Sequence, residues 1–147
     1  MFDFACPMWS RGGVASRNLK GLVSFDRREK KDSYFWYKAN WSRQPVLYVT
    51  QRRNADRERR ETSITVYCNR GVPEVTLNGR PLPRPRQGYT DVHWIFDGVV
   101  LDDGDNIIRA RTTGEGEMLS DTVRWIYSGE KDRSPEKYEN RKTHSGF

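Results

Sequence analysis

From residue 45 to residue 127 the apolar side chains recur at every second position, and this period constrains the fold more than any other feature of the chain. The runs are PVLYVTQRR, TSITVYCN, PEVTLNGRPL, TDVHWIFDGVVL, DNIIRARTTG and SDTVRWIY. Residues two apart on an extended strand share one face of the sheet. Ile64, Val66 and Cys68 therefore form one apolar face, as do Val75 with Leu77, Val92 with Trp94 and Phe96, and Val123 with Trp125 and Tyr127. The runs are separated by turn chemistry. Asn78-Gly79 is the residue pair of a type I′ hairpin, in which both central positions take a positive φ. Residues 102–104 and 114–116 supply further reversals. Roughly six or seven short strands at this spacing predict a mainly β chain, with an immunoglobulin-like antiparallel β-sandwich over residues 42–128.

Residues 1–41 follow another pattern. MFDFA reads as a buried strand ending at a loop, PMWSRGGVASRNLKG as a loop rich in Gly, Ser and Arg, and GLVSF as a second brief extended piece. Asp32 or Ser33 then supplies an N-cap for a helix running to about Trp41. Tyr34, Phe35, Trp36 and Tyr37 are consecutive, so they advance around most of the helix circumference. No single face holds them, and a helix of this kind is covered on more than one side. It is expected to lie between two bodies of protein.

Composition removes several function classes. No apolar run is long enough to span a bilayer, and MFDFACPMW lacks the basic and apolar regions of a signal peptide, so any export signal would lie upstream. The net charge is +6, which raises nucleic acid as a partner. In RRNADRERRE, however, the arginines alternate with Asp56, Glu58 and Glu61, the pattern of a solvated hairpin loop and not of a phosphate track. RPLPRPR, residues 80–86, lacks PxxP spacing and reads as a stiff exposed loop. Residues 129–147 are polar and without period, as in a disordered tail. Cys6 and Cys68 are either buried small hydrophobes or a long-range disulfide; neither clusters with His93 or His144, so no metal or nucleophile reading arises. The phosphate-binding loop, the dinucleotide fingerprint, the HExxH helix and the GxSxG elbow are absent, and no cofactor is expected.

Two parts of the chain resemble a known family. FDFA followed by NLKGLVSFDRREKKDSYFWYKANW resembles the end of the catalytic barrel in glycoside hydrolase family 2, bacterial β-galactosidases in particular. VYCNRGVPEVTLNGRPL and LDDGDNIIRARTTGEGE resemble the immunoglobulin-like domain that follows that barrel. The resemblance implies that residues 1–41 are a remnant of a (β/α)8 barrel: its last strand, a loop and its last helix, held between barrel and sandwich. Met1 falls within that last strand, so the seven earlier strands are expected to be missing. The same resemblance puts the parent protein in the periplasm or outside the cell.

Its chemical consequences are direct. A retaining glycosidase uses two carboxyl groups about 5 Å apart, one as nucleophile and one as acid/base. In the family both are glutamates on earlier barrel strands, and here no glutamate precedes Glu29. The resemblance thus implies no catalytic residue in this chain, which alone is expected to be inactive and to act as scaffold. It does imply substrate-facing residues. Phe4 would lay its ring against a pyranose, with Asp3 beside it, and Trp9 and Arg11 would reach substrate from the following loop. Asn18 and Lys20 match an Asn-x-Lys that holds the substrate carboxylate in β-glucuronidases of the family, asparagine as a directed donor and lysine as a point charge. Plainer readings stand beside these: barrel packing for Phe4 and Trp9, an ordinary polar loop for Asn18 and Lys20, whose triplet also occurs in β-galactosidase-like members and does not settle the sugar. No metal is implied. The expected partners are a β-galactoside-type carbohydrate in the full-length enzyme, and the missing barrel or a second copy over the apolar surface of residues 1–41. Neither nucleic acid nor membrane is expected.

Two rival readings are worth testing. One is a non-catalytic carbohydrate-binding sandwich using Tyr89, Trp94 or Trp125, although the period turns Trp94 and Trp125 inward. The other is a nucleic-acid binder using Arg52, Arg53, Arg57, Arg59 and Arg60, whose binding would weaken steeply with salt.

Overall fold

The alternating runs become strands whose apolar faces meet. The structure is a computed structural model that describes residues 4–5, 17–18, 21–24, 26–113 and 116–129. Its elements are β1 (Phe4–Ala5), β2 (Arg17–Asn18), α1 (Asp32–Trp41), β3 (Leu47–Val49), β4 (Asp56–Arg57), β5 (Glu61–Cys68), β6 (Glu74–Leu77), β7 (Arg80–Pro81), β8 (Arg86–Gln87), β9 (His93–Val100), β10 (Gly104–Thr112) and β11 (Leu119–Tyr127). Of the two larger sheets, one has the order β4-β11-β10-β6-β7 and the other β3-β5-β9-β8. Val49, Ile64, Val66 and Phe96 from the second sheet pack against Val75, Leu77, Ile108, Val123 and Trp125 from the first. Ile64, Ile108 and Trp125 have no exposed surface. Each such burial contributes about 1.5–3 kcal/mol or more, which makes this interface the main source of stability. The chain is mainly β with one short helix near its start, as the sequence predicts.

Turn chemistry behaves as read. Asn78 and Gly79 have φ of 50° and 80°, the two positive values that a type I′ turn needs, and they join β6 to β7. A glycine inside β9 does something different. Thr62 pairs with Val99 and Ile64 with Phe96, so β9 carries one residue more than β5 over this step. The extra residue is a β-bulge, and Gly98 sits in it at φ 63°. Val99 thereby returns to the core, at 3% exposure, although simple alternation would have pointed it out.

Three expectations need correction. The segment RRNADRERRE is more than a hairpin loop: Asp56 and Arg57 form β4, which pairs in parallel with Ile126 and Tyr127 of β11, so that sheet is mixed. The proline-rich stretch is not simply an exposed loop either. It starts in β7 and ends in β8, which belong to different sheets, and Leu82 on the way packs on the core while its N–H donates to the Val75 carbonyl at 2.9 Å. β3 is also shorter than the run PVLYVTQRR suggests, because Gln51 at φ 61° turns the chain away. Cys68 is buried with a free thiol, its pKa pushed up by that burial. Cys6 and residues 130–147 of the expected tail lie outside the described residues. Among the described residues no helix is long and apolar enough to cross a membrane.

Candidate functional site

The outer face of the four-stranded sheet carries a row of rings. Tyr48 of β3 pairs with Tyr67 of β5, which pairs with His93 of β9. All three occupy the opposite phase from the core residues Val49 and Val66. Helix α1 lies on this row. Phe35 stacks on Tyr48 with centroids 3.8 Å apart and planes 9° from parallel. Trp36 meets Tyr67 at 5.3 Å and His93 at 5.1 Å, both edge to face. Such pairs contribute about 0.5–1.5 kcal/mol beyond area burial and fix ring orientation. Ala39, 3% exposed, lets the helix approach closely.

A polar latch sets the angle of the helix. The Tyr48 hydroxyl donates to Asp32 Oδ1 at 2.6 Å, and the Gln51 N–H donates to Asp32 Oδ2 at 2.8 Å. Burial, with the Asp32 carboxylate second, pushes the Tyr48 phenol well above its ordinary pKa. The Arg52 guanidinium lies 4.5 Å over the Tyr48 ring and donates to Asp121, whose Oδ2 also accepts the Val49 N–H at 2.8 Å. The expected N-cap is therefore corrected. Lys31 occupies the cap position but its side chain does not cap the helix, and Asp32 is the first helical residue. Its two oxygens serve fixed donors on the sandwich, while its charge still lies at the favourable end of the helix dipole.

Cover on the far side of α1 is missing among the described residues. Tyr37 is 38% exposed and Trp41 79% exposed, and their rings pair at 4.6 Å, one helical turn apart. The helix predicted to be covered on two sides is thus covered by the sandwich on one.

Upstream, β1 and β2 pair antiparallel, with Phe4 opposite Asn18 and Ala5 opposite Arg17. Two of the substrate-facing candidates, Phe4 and Asn18, are thereby brought side by side in the backbone. Asp3, Trp9, Arg11 and Lys20 lie outside the described residues.

Sequence reasoning missed His93 and Asp32. His93 is 8% exposed, and its Nδ1 accepts the Tyr89 N–H at 3.1 Å. Burial, with Arg86 second, holds its pKa below the ordinary value. A signal for the seat was present: Tyr48, Tyr67 and His93 all fall out of phase with the core, and three rings on an outer face demand a cover. Nothing local marks Asp32, whose partners lie 16 and 19 residues away.

The rival sites fare unequally. Trp125 is fully buried beneath the Arg57 guanidinium at 4.2 Å. Trp94 packs on the core and its indole N–H donates to the Cys68 carbonyl at 3.3 Å. Tyr89 is 93% exposed. Four of the arginines proposed for phosphate contact are engaged at home: Arg52 with Asp121, Arg53 with Glu29, Arg57 with Gln51 and Thr62, and Arg60 with Asp103. Among the described residues no group of three or more His, Cys, Asp or Glu could hold a metal ion.

No family model matches the chain. A crystal structure of a provisionally assigned β-galactosidase from Bacteroides fragilis superposes with a TM-score of 0.87 at 62% identity, over 92% of this chain and 20% of that one. A β-glucuronidase structure from Faecalibacterium prausnitzii L2-6 superposes with a TM-score of 0.76 at 33% identity, over 91% of this chain and 19% of that one. A curated β-glucuronidase from Bacteroides fragilis is 34% identical over 133 residues, 89% of this chain and 19% of the relative. The chain thus matches, across nearly its whole length, a stretch that makes up about a fifth of these glycosidases.

Proposed function

We propose that this chain is the carboxy-terminal part of a family 2 glycoside hydrolase of β-galactosidase type, residues 1–41 completing the catalytic barrel and the sandwich bracing it. The observation that carries this reading is the 62% identity over 92% of the chain to the Bacteroides fragilis structure. The open Tyr37–Trp41 face of α1 supports it, since a larger body seated there would cover the rings. In that assembly Phe4, Asp3, Trp9, Arg11, Asn18 and Lys20 face the sugar, and the two catalytic glutamates come from the rest of the polypeptide. The test is a chimera in which this chain replaces the matching stretch of the Bacteroides fragilis protein, assayed on nitrophenyl β-galactoside and β-glucuronide. Hydrolysis of the galactoside is expected, with none by this chain alone. Turnover of the glucuronide in its place selects a β-glucuronidase parent, in which Asn18 and Lys20 would hold the substrate carboxylate. A folded chimera inert on both removes the proposal.

The exposure of Tyr89 favours one second reading, a sandwich that holds carbohydrate on its surface. Titrating the chain with galactans while following its fluorescence decides between them, because a saturable shift lost in Tyr89→Ala selects surface binding.

A further inference from the structure

We propose that His93 is an acid-sensitive latch whose neutral imidazole seats both the turn between β8 and β9 and the Trp36 side of helix α1, and whose protonation releases them. The turn is held tightly. Gly88 N–H donates to the His93 carbonyl at 2.6 Å, His93 N–H to the Thr90 carbonyl at 3.0 Å, and Gln87 Nε2 to Asp91 Oδ1 at 2.7 Å. The remaining bond, Tyr89 N–H to His93 Nδ1, is the chemically informative one. A backbone N–H can only donate, so Nδ1 must present a lone pair and the ring proton must sit on Nε2. Adding a second proton sets one N–H against another.

The ring has nowhere to go. A methyl group placed on Gly88 would overlap the imidazole, so backbone and ring are already in contact. Tyr67 from β5 lies at 5.7 Å, Trp36 from α1 at 5.1 Å and Tyr89 from the turn at 5.8 Å. The charged groups around it offer no relief. Arg86 on β8 repels a cation, Asp97 is engaged with Arg86, and Asp91 with Gln87. Asp32 on α1 holds Tyr48 and faces Tyr67, not the imidazole. Burial and Arg86 both favour the neutral ring. The sign follows. An opened turn takes up the proton before the closed one does, so the latch is at full strength above the ordinary histidine pKa and weakens as pH falls through it toward the lowered value.

The experiment is amide hydrogen exchange by NMR on the 147-residue chain, titrated from about pH 7 to about pH 4 around the ordinary histidine range. Wild type should lose about tenfold or more of the Tyr89 amide protection, corrected for intrinsic exchange, with a parallel shift of the Trp36 indole signal. His93→Asn offers an acceptor oxygen near the Nδ1 position that does not titrate, and its Tyr89 protection should stay constant. Equal acid responses in both proteins would assign the effect to carboxylates and overturn the proposal, as would no response in either. Should His93→Asn fail to fold, the nitrogen spectrum of the wild-type imidazole still decides: a proton on Nδ1 at neutral pH overturns it.

Discussion

The sandwich core and the aromatic seat of α1 are built from the same strands, yet they close in different ways. On β5, Ile64 and Val66 face inward and have no exposed surface, whereas Tyr67, between Val66 and Cys68, faces the helix and is only partly covered. The core is sealed by a second sheet of matching apolar period. The seat is covered by one helix, oriented by ring contacts and by two hydrogen bonds to a single carboxylate. Alternate residues of one strand thus divide the work: one set supplies stability, the other fixes the position of a neighbouring element.

That division can be broken most severely in the core. Trp125→Ala should cost about 3–5 kcal/mol in a urea unfolding experiment, because it empties the centre of the interface; a loss below about 1 kcal/mol would mean the sheets do not meet there. Asp32→Ala should cost about 2 kcal/mol, since it leaves the Tyr48 hydroxyl and the Gln51 N–H without their acceptor. Near-ultraviolet dichroism of the stacked rings should fall in that variant while the strand signal in the far ultraviolet persists. Loss of both together would show that seat and core are one unit. Gly98→Ala should cost about 1 kcal/mol through the positive φ of the bulge, with open space around the added methyl. At the other extreme, Trp41→Ala should change the stability of this chain by less than about 0.5 kcal/mol, given its exposure. A larger loss would mean that the outer face of α1 is already covered in solution, and sedimentation would then show a dimer.

Much of the sandwich was legible because burial on alternate positions leaves a periodic trace that survives without neighbours. The helix was legible too, from the aromatic run and the change of period. The two-residue strands β4 and β8 were not, since so short an element is created by its partner strand and not by its own residues. Asp32 was misassigned for a related reason: a helix-start acid looks the same locally whether it caps its own helix or grips a tyrosine across the fold. Of the substrate-facing candidates, the pairing of Phe4 with Asn18 was invisible in the sequence, because antiparallel register between two-residue strands leaves no pattern to read.

The parallel clip between β4 and β11 has a kinetic consequence. Residues 56–57 find their partner only at residues 126–127, in the strand that also delivers Trp125. Pairings so distant along the chain slow folding, toward the millisecond-to-second range typical of sandwiches. Until β11 is made, the sheets lack their central ring and one edge, a state whose exposed apolar surface and open strand edges favour aggregation.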